Sequence, residues 1–357
     1  MRVALVHYWL VGMRGGEKVL ESLCDLFPGA DIFTLFYEPA QISAKIRSHR
    51  VSSSFLNPFR FCYRSLLPLM PLALEQFDLR GYDLVISSES GPAKGVLVSS
   101  DSKHVCYCHS PMRYLWELYP AYMNEWVGGP IQRWMFAPIA SYLRLWDYAS
   151  AARVDQFVAN SQNVRNRIRR SYQRDAEVVY PPVPVETFYW KEPDDYYLIV
   201  SALVPYKRLD YAVALFSRTG RKLKLVGDGP EFKRLKALAA PNVEFCGWVT
   251  EHDLRELYAR SRALLMPGEE DFSMATVESL ASGKPVVALG RGGVCEVAVS
   301  KMTGSFLYPD PSEAGLKAAL VRFESMEAAV NREEMQQAAS EFSSEVFNMK
   351  IRQILSL

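Results

Sequence analysis

The chain has 357 residues, 49% of them hydrophobic, with 41 basic against 40 acidic side chains and a formal net charge of +1. That length exceeds one comfortable core and implies two domains, while the even charge excludes bulk nucleic-acid binding. Cys24, Cys62, Cys106, Cys108, Cys246 and Cys295 follow no disulfide-framework spacing and read as reduced core thiols of a cytosolic protein. The one close pair, Cys106 and Cys108, lacks the second pair that a zinc site needs.

In chain order, the first predicted strand is Val3–Tyr8, and with a strand at the start of this sequence no signal peptide is expected. No run reaches the ~18 to 20 apolar residues of a membrane span. The loop Leu10–Lys18 follows, with Gly15 and Gly16 allowing close backbone approach and a helix beginning near Glu17. After a strand at Asp31–Phe36 comes 54–74, an aromatic, proline-broken stretch whose only charges are Arg60 and Arg64. It suits a membrane surface or a lipid-linked acceptor, and equally a helix pair packed on a sheet. Further strands are expected at Leu84–Ser87, Val105–His109, Phe157–Asn160 and Val178–Tyr180. The basic cluster Arg165–Arg170 reads as the solvated face of a helix or a contact for anionic lipid.

Pro181-Pro-Val-Pro184 is a stiff break. The pattern restarts at Tyr196–Ser201 and continues through Lys222–Val226, Val243–Phe245, Ala263–Met266, Val286–Leu289 and Gly304–Leu307. Strands alternating with helices in both halves imply parallel sheets covered on both faces, and two such halves on a hinge would enclose a cleft. Within the second half, Met274–Ser282 reads as a helix with Ser273 as N-cap and Gly283 as its stop. Glu270 then lies in the loop at the carboxyl end of a parallel strand, and Glu278 lies in the helix that follows. Open α/β sheets bind ligands in that crevice. Ionised carboxylates there are acceptor-only groups suited to the hydroxyls of a sugar or ribose. Lys207 and Arg208, after the first strand of this half, suit a phosphate. Gly227-Asp-Gly-Pro230 lacks the third glycine of a nucleotide loop and reads as a structural turn, as does Gly292-Gly-Val-Cys-Glu296.

The stretch Pro267-Gly-Glu-Glu-Asp-Phe-Ser-Met274, running on to Glu278 and Ala281-Ser-Gly-Lys-Pro-Val-Val-Ala288, resembles the Glu-x7-Glu signature of retaining glycosyltransferases of family 4. His109-Ser-Pro-Met-Arg-Tyr114 is similar to the corresponding phrase of bacterial GDP-mannose-dependent mannosyltransferases of O-antigen and exopolysaccharide synthesis. The resemblance implies the GT-B fold, an α/β architecture of two Rossmann-like domains facing across a cleft. Residues 1–183 would form the acceptor-side domain and 184–340 the nucleotide-sugar domain, with 341–357 packing back on the first. It further implies transfer of a hexose, best matched by mannose from GDP-mannose, to a lipid-linked or growing saccharide acceptor.

In that frame His109, Glu270 and Lys207 are the catalytic candidates. Gly15, Gly16, Arg208, Phe272, Ser273, Met274, Glu278 and Val249 would bind the donor, and Glu17 and Arg113 would lie on the acceptor side. No cofactor is implied: the nucleotide-sugar is a co-substrate, and the chain has no Asp-x-Asp pair for a metal. The partners expected are a nucleotide-sugar donor, a saccharide or lipid-linked acceptor and, through 54–74, the inner face of a membrane bordering the cytoplasm. No nucleic acid is among them. One departure stands out: Ala202 occupies the place of the family's phosphate-binding Arg, for which Arg208 and Arg291 are replacements. That departure favours a non-catalytic nucleotide-sugar-binding protein as an alternative, beside a GT-B isomerase or hydrolase acting on the sugar nucleotide alone.

Overall fold

The computed structural model describes residues 1–125, 129–298 and 304–356, so Leu357, the last residue of the segment expected to pack back, lies outside them. The chain divides into two compact units, Met1–Tyr180 with Lys350–Leu357 and Pro181–Met349.

Unit 1 holds a seven-stranded parallel sheet. Its strands are β1 (Val3–His7), β2 (Asp31–Thr34), β3 (Val51–Ser53), β4 (Leu84–Glu89), β5 (Lys103–Cys108), β6 (Gln156–Ala159) and β7 (Ala176–Val178), in the order β3-β2-β1-β4-β5-β6-β7. Every residue of β1 and β4 is buried, as strands covered on both faces require. The edge strand β3 is absent from the sequence reading because Val51-Ser-Ser53 is short, polar and partly exposed. The final strand lies at Ala176–Val178 rather than Val178–Tyr180. Val6, Phe33, Leu35, Val85, Met112 and Leu143 belong to the apolar core on one side. Ile351, Ile354 and Leu355 of the last helix share a narrow crevice with Leu23, Ile86, Val105 and Tyr107.

A buried charge cluster ties the long helix Pro130–Ser150 to this sheet. The Lys94 ammonium pairs with Asp147 on that helix and lies 3.5 Å from Glu89 at the end of β4, all three side chains being fully buried. Asp147 also accepts from Trp116 Nε1 (2.7 Å) and from the Tyr172 hydroxyl (3.0 Å). Burial pushes Glu89 up to about 7, against the pull of Lys94.

Unit 2 holds a six-stranded parallel sheet of β8 (Tyr197–Val200), β9 (Leu223–Val226), β10 (Val243–Gly247), β11 (Leu264–Met266), β12 (Val286–Leu289) and β13 (Ser305–Tyr308). The order is β10-β9-β8-β11-β12-β13. Tyr197, Ile199, Phe216, Leu265, Val287, Phe306 and Phe323 build its core. Both sheets therefore have the doubly wound order, in which chain direction across the sheet reverses beside the first strand.

His104 in β5 is fully buried between Ser87 Oγ (2.9 Å) and Arg153 O (3.3 Å), and burial depresses it from 6.5 to about 4. The unfolded chain binds a proton at this position below about pH 6.5 and the folded one does not until about pH 4. The histidine's contribution is therefore complete above that window and is lost as pH falls through it. His104→Gln should be less stable than the parent at pH 8 yet lose less stability on going to pH 5. Urea midpoints at the two pH values measure both; equal losses in parent and variant would remove His104 as the source.

Candidate functional site

In unit 1 the candidate residues gather at the carboxyl ends of β1, β4 and β5. His7 ends β1 and is in register with Ser88 of β4. His109 directly follows β5 and its amide donates to Glu89 O at 2.7 Å. Ser88 Oγ lies 3.2 Å from His7 Nδ1 and 2.9 Å from His109 Nε2, joining the two rings. The His109 ring meets Tyr107 edge-on at 5.2 Å. The protein packed around it, and then His7, push it down to about 3, so it is neutral at ordinary pH.

The helix Gly15–Leu26 starts beside these rings. A Cβ at Gly16 would stand 2.8 Å from the Tyr8 hydroxyl and 3.6 Å from His109 Nε2, so only glycine lets the helix start come this close. Gly15 is exposed at the same helix start. Glu17, expected on the acceptor side, is buried and turns inward: Oε2 accepts the Arg14 amide (2.9 Å) and Oε1 lies 3.3 Å from His7 Nε2. Beside this loop is a pocket of about 420 Å³ lined by Trp9, Arg14, Glu17, Glu38, Arg60 and Tyr63 among others. Arg60 Nε donates to Glu38 at 2.6 Å across it. Arg113 borders a different pocket of about 770 Å³, shared with Arg144, Arg167 and Arg170.

In unit 2 the loops after β8, β11 and β12 meet. Lys207 forms an ion pair with Glu270, their side chains only 12% and 14% exposed. Glu270 O in turn accepts the Gly293 amide at 2.8 Å, which fastens the β11 loop to the turn after β12. Gly268 presses on the Lys207 backbone, where a Cβ would stand 2.5 Å from Lys207 Cα. Glu278, on the helix Met274–Ala281, accepts from the Tyr258 hydroxyl at 2.7 Å. Burial, then Glu278, hold that hydroxyl well above the usual phenol range.

Ser273 stands at the N-cap position of that helix but does not cap it by side chain. Its backbone is left-handed (φ +77°), and its hydroxyl bonds Thr276 Oγ1 at 2.7 Å rather than a helix amide. Such a conformation in a non-glycine residue costs on the order of 1–3 kcal/mol. Phe272 is buried with its ring 5.6 Å from Phe342, while Met274 and Val249 are half-buried. Arg208 is also left-handed (φ +51°), pairs with Asp210 at 3.2 Å and lies 3.8 Å over the Tyr211 ring. Ala202 is exposed, and Arg291 reaches Pro309 O at 3.5 Å. The Gly227–Pro230 turn closes on the same loop, Leu203 N donating to Asp228 O at 3.0 Å.

His7, Ser88, Tyr258 and the aromatic pair Trp9 and Tyr63 escape the sequence reading. A histidine ending the first buried strand was the available signal for His7. Among the described residues, no group of three His, Cys, Asp or Glu side chains is placed to hold a metal ion.

Comparison with known proteins places each half of the chain. Residues 13–187 match the model of Glycosyltransferase Family 4, and residues 187–342 match that of Glycosyl transferases group 1. Each unit thus matches a glycosyltransferase domain model, and the α/β fold is the GT-B kind. An uncharacterised glycosyltransferase of Methanocaldococcus jannaschii is 26% identical over 155 residues, 42% of this chain and 44% of the relative. A GDP-mannose-dependent alpha-mannosyltransferase of Mycolicibacterium smegmatis is 33% identical over 122 residues, 34% of this chain and 32% of the relative. The matches thus span less than half the length of these curated relatives. The crystal structure of Anabaena HepE in complex with UDP and glucose superposes with a TM-score of 0.76 at 18% identity, covering 100% of this chain and 99% of that one. Sucrose-phosphate synthase from Thermosynechococcus elongatus gives 0.74 at 16% identity, with 100% and 98% covered.

Gly268→Ala should drive the Pro267 turn off Lys207 and cost about 1–3 kcal/mol, the range for forcing extra carbon into a packed site. A urea midpoint unchanged from the parent would show that the close approach carries no energetic weight.

Proposed function

We propose that the protein is a retaining hexosyltransferase that moves mannose from GDP-mannose onto a lipid-linked or growing saccharide in cell-surface polysaccharide synthesis. The observation that carries the reading is the Lys207–Glu270 pair, set at the carboxyl ends of β8 and β11 with Glu278 on the helix that follows. Lys207 stabilises the negative charge that grows on the departing diphosphate, a task for a fixed cation in a site with little water. Glu270 takes hydroxyls of the transferred sugar, and Glu278 takes the ribose diol. The amides of Phe272, Ser273 and Met274 stand at a helix start suited to phosphate. His109, neutral, serves the transferred sugar as a hydrogen-bonding group. Charge on the leaving group is met by Lys207 and backbone amides, so the reading needs no metal. The mannose and guanine assignments rest on the mannosyltransferase relatives and the His109–Tyr114 phrase.

Thermal-shift titration with GDP, UDP and ADP tests the donor site. A ligand at about 100 times its Kd adds about 2.7 kcal/mol, so saturating GDP should raise the melting temperature by several degrees. Lys207→Met should abolish that shift, and GDP should leave GDP-mannose only when an acceptor is present. Stabilisation by UDP alone would overturn the guanine assignment, and donor consumed without acceptor would indicate a hydrolase or isomerase.

The acceptor side of this reading includes an anionic bilayer. Segment 54–74 folds as a 3-10 stretch, Asn57–Leu69, and the helix Met70–Glu75. It serves two purposes at once: Leu67, Met70, Ala73 and Leu74 enter the core, while Phe55, Phe59, Phe61, Leu69 and Leu72 remain exposed. The helix Pro130–Ser150 adds a stripe the sequence reading passed over. Ile131 (73% exposed), Trp134 (79%), Met135, Tyr142, Leu145 and Tyr148 recur at helical spacing on its outer face. Aromatic and aliphatic side chains in this arrangement suit the interfacial zone of a membrane. The arginine-rich pocket in the same unit suits lipid phosphate. No helix among the described residues is long and apolar enough to cross a membrane. Flotation with phosphatidylglycerol vesicles should recover the protein, whereas phosphatidylcholine vesicles should not. The double variant Trp134→Ser with Met135→Ser should bind at least about tenfold more weakly, each lost apolar contact being worth about 1.5–3 kcal/mol when fully buried. No recovery on either vesicle type would remove the bilayer from the reading, and equal recovery on both would remove the role of lipid charge.

A further inference from the structure

Glu17, His7, Ser88 and His109 form one unbroken hydrogen-bonded file within unit 1. The spacings are 3.3 Å from Glu17 Oε1 to His7 Nε2, 3.2 Å from His7 Nδ1 to Ser88 Oγ and 2.9 Å from Ser88 Oγ to His109 Nε2. Glu17, His7 and Ser88 are each no more than 1% exposed, so the file is sealed from water along most of its length. We propose that Glu17, His7 and Ser88 are positioning residues that decide which ring nitrogen of His109 carries its proton. They thereby decide whether His109 accepts from or donates to a saccharide hydroxyl. The proposal rests on the reading above, in which His109 serves the transferred sugar.

The direction follows link by link from donor and acceptor chemistry. An ionised carboxylate only accepts, and Glu17 Oε2 already accepts the Arg14 amide. Oε1 therefore takes a proton-bearing nitrogen, His7 Nε2. With one ring proton in place there, His7 Nδ1 has a lone pair and receives the Ser88 hydroxyl. Ser88 Oγ, its hydrogen spent on His7, accepts from His109 Nε2–H. His109 is left with a lone pair on Nδ1, an acceptor for a hydroxyl. A second proton on His7 would reverse each bond: Nδ1–H would donate to Ser88, Ser88 would donate to His109 Nε2, and the His109 proton would move to Nδ1. Crowding around His109 disfavours its cation, which leaves the choice of neutral tautomer as the variable the file controls.

Nitrogen-15 NMR of the full-length chain with labelled histidine, His109 assigned by difference with His109→Ala, reads the tautomer without substrate. The parent should show Nε2–H. In Glu17→Gln the amide oxygen keeps the Arg14 N–H and the NH2 donates to His7, which reverses the file and shifts the His109 proton to Nδ1. Turnover should then fall about 10²- to 10⁴-fold, up to the scale of a tautomer reversal in a hydrolase triad, with donor KM changed less than about threefold. Ser88→Ala removes a single oxygen and should leave His109 a mixture of tautomers with an intermediate loss in kcat; it carries the test if Glu17→Gln fails to fold. A parent with the proton on Nδ1, a Glu17→Gln tautomer like the parent's, or a reversed tautomer with full kcat would each overturn the proposal. Full turnover in His109→Ala would instead sink the sugar-facing reading, and with it the catalytic half of the proposal, while the tautomer result would be unaffected.

Discussion

Every candidate group in this protein is positioned by one topological constraint: parallel strands deliver their carboxyl ends to the same edge of a sheet. In each unit the first strand is flanked on one side by its successor and on the other by a later strand, β2 and β4 around β1, and β9 and β11 around β8. The helices after the two flanking strands leave on opposite faces, and a gap opens at that edge. His7, Ser88 and His109 come from three neighbouring strands in unit 1, and Lys207, Glu270 and Gly292 from loops after three neighbouring strands in unit 2. None of these side chains needs a long loop to reach its neighbours. Rigid strands set the positions, and the short loops only aim the groups.

This constraint explains what the amino-acid sequence revealed and what it hid. Buried parallel strands are short apolar runs, so β1, β4, β8, β11 and β12 are readable within a residue or two. Glu270 and Glu278 were legible because both belong to one strand-loop-helix unit, where local grammar decides the geometry. Ser273 was placed correctly at the helix start and given the wrong work, since nothing local announces a left-handed backbone at a serine. The file ending at His109 was hidden for a different reason. Its His7–Ser88 link joins residues 81 apart, and it depends on the register of β1 against β4. No periodicity within either strand encodes that register.

The two units handle buried charge differently. Lys207 and Glu270 pair at a loop junction and keep a little of their side chains exposed. Lys94 is fully enclosed with two carboxylates, and Asp147 also needs Trp116 and Tyr172 to satisfy it. Removing one member of such a cluster leaves the others uncompensated, which is far more damaging than never having had it. The enclosed cluster thus fixes where the helix Pro130–Ser150 sits, because Asp147 has a single place where its bonds are met. The outward face of that helix can then be unusually apolar without compromising how its inner face docks.

The discontinuity of unit 1 has a consequence for how the chain is made. Residues 350–356 belong to that unit yet follow the whole of unit 2 in the chain, and Ile351, Ile354 and Leu355 cover Ile86, Val105 and Tyr107 of its sheet. A growing chain therefore exposes that apolar patch for as long as the ribosome takes to synthesise unit 2. Nascent protein is at its most vulnerable to chaperone capture and aggregation during that interval, so the order of translation, as well as the final contacts, bears on the yield of native molecules.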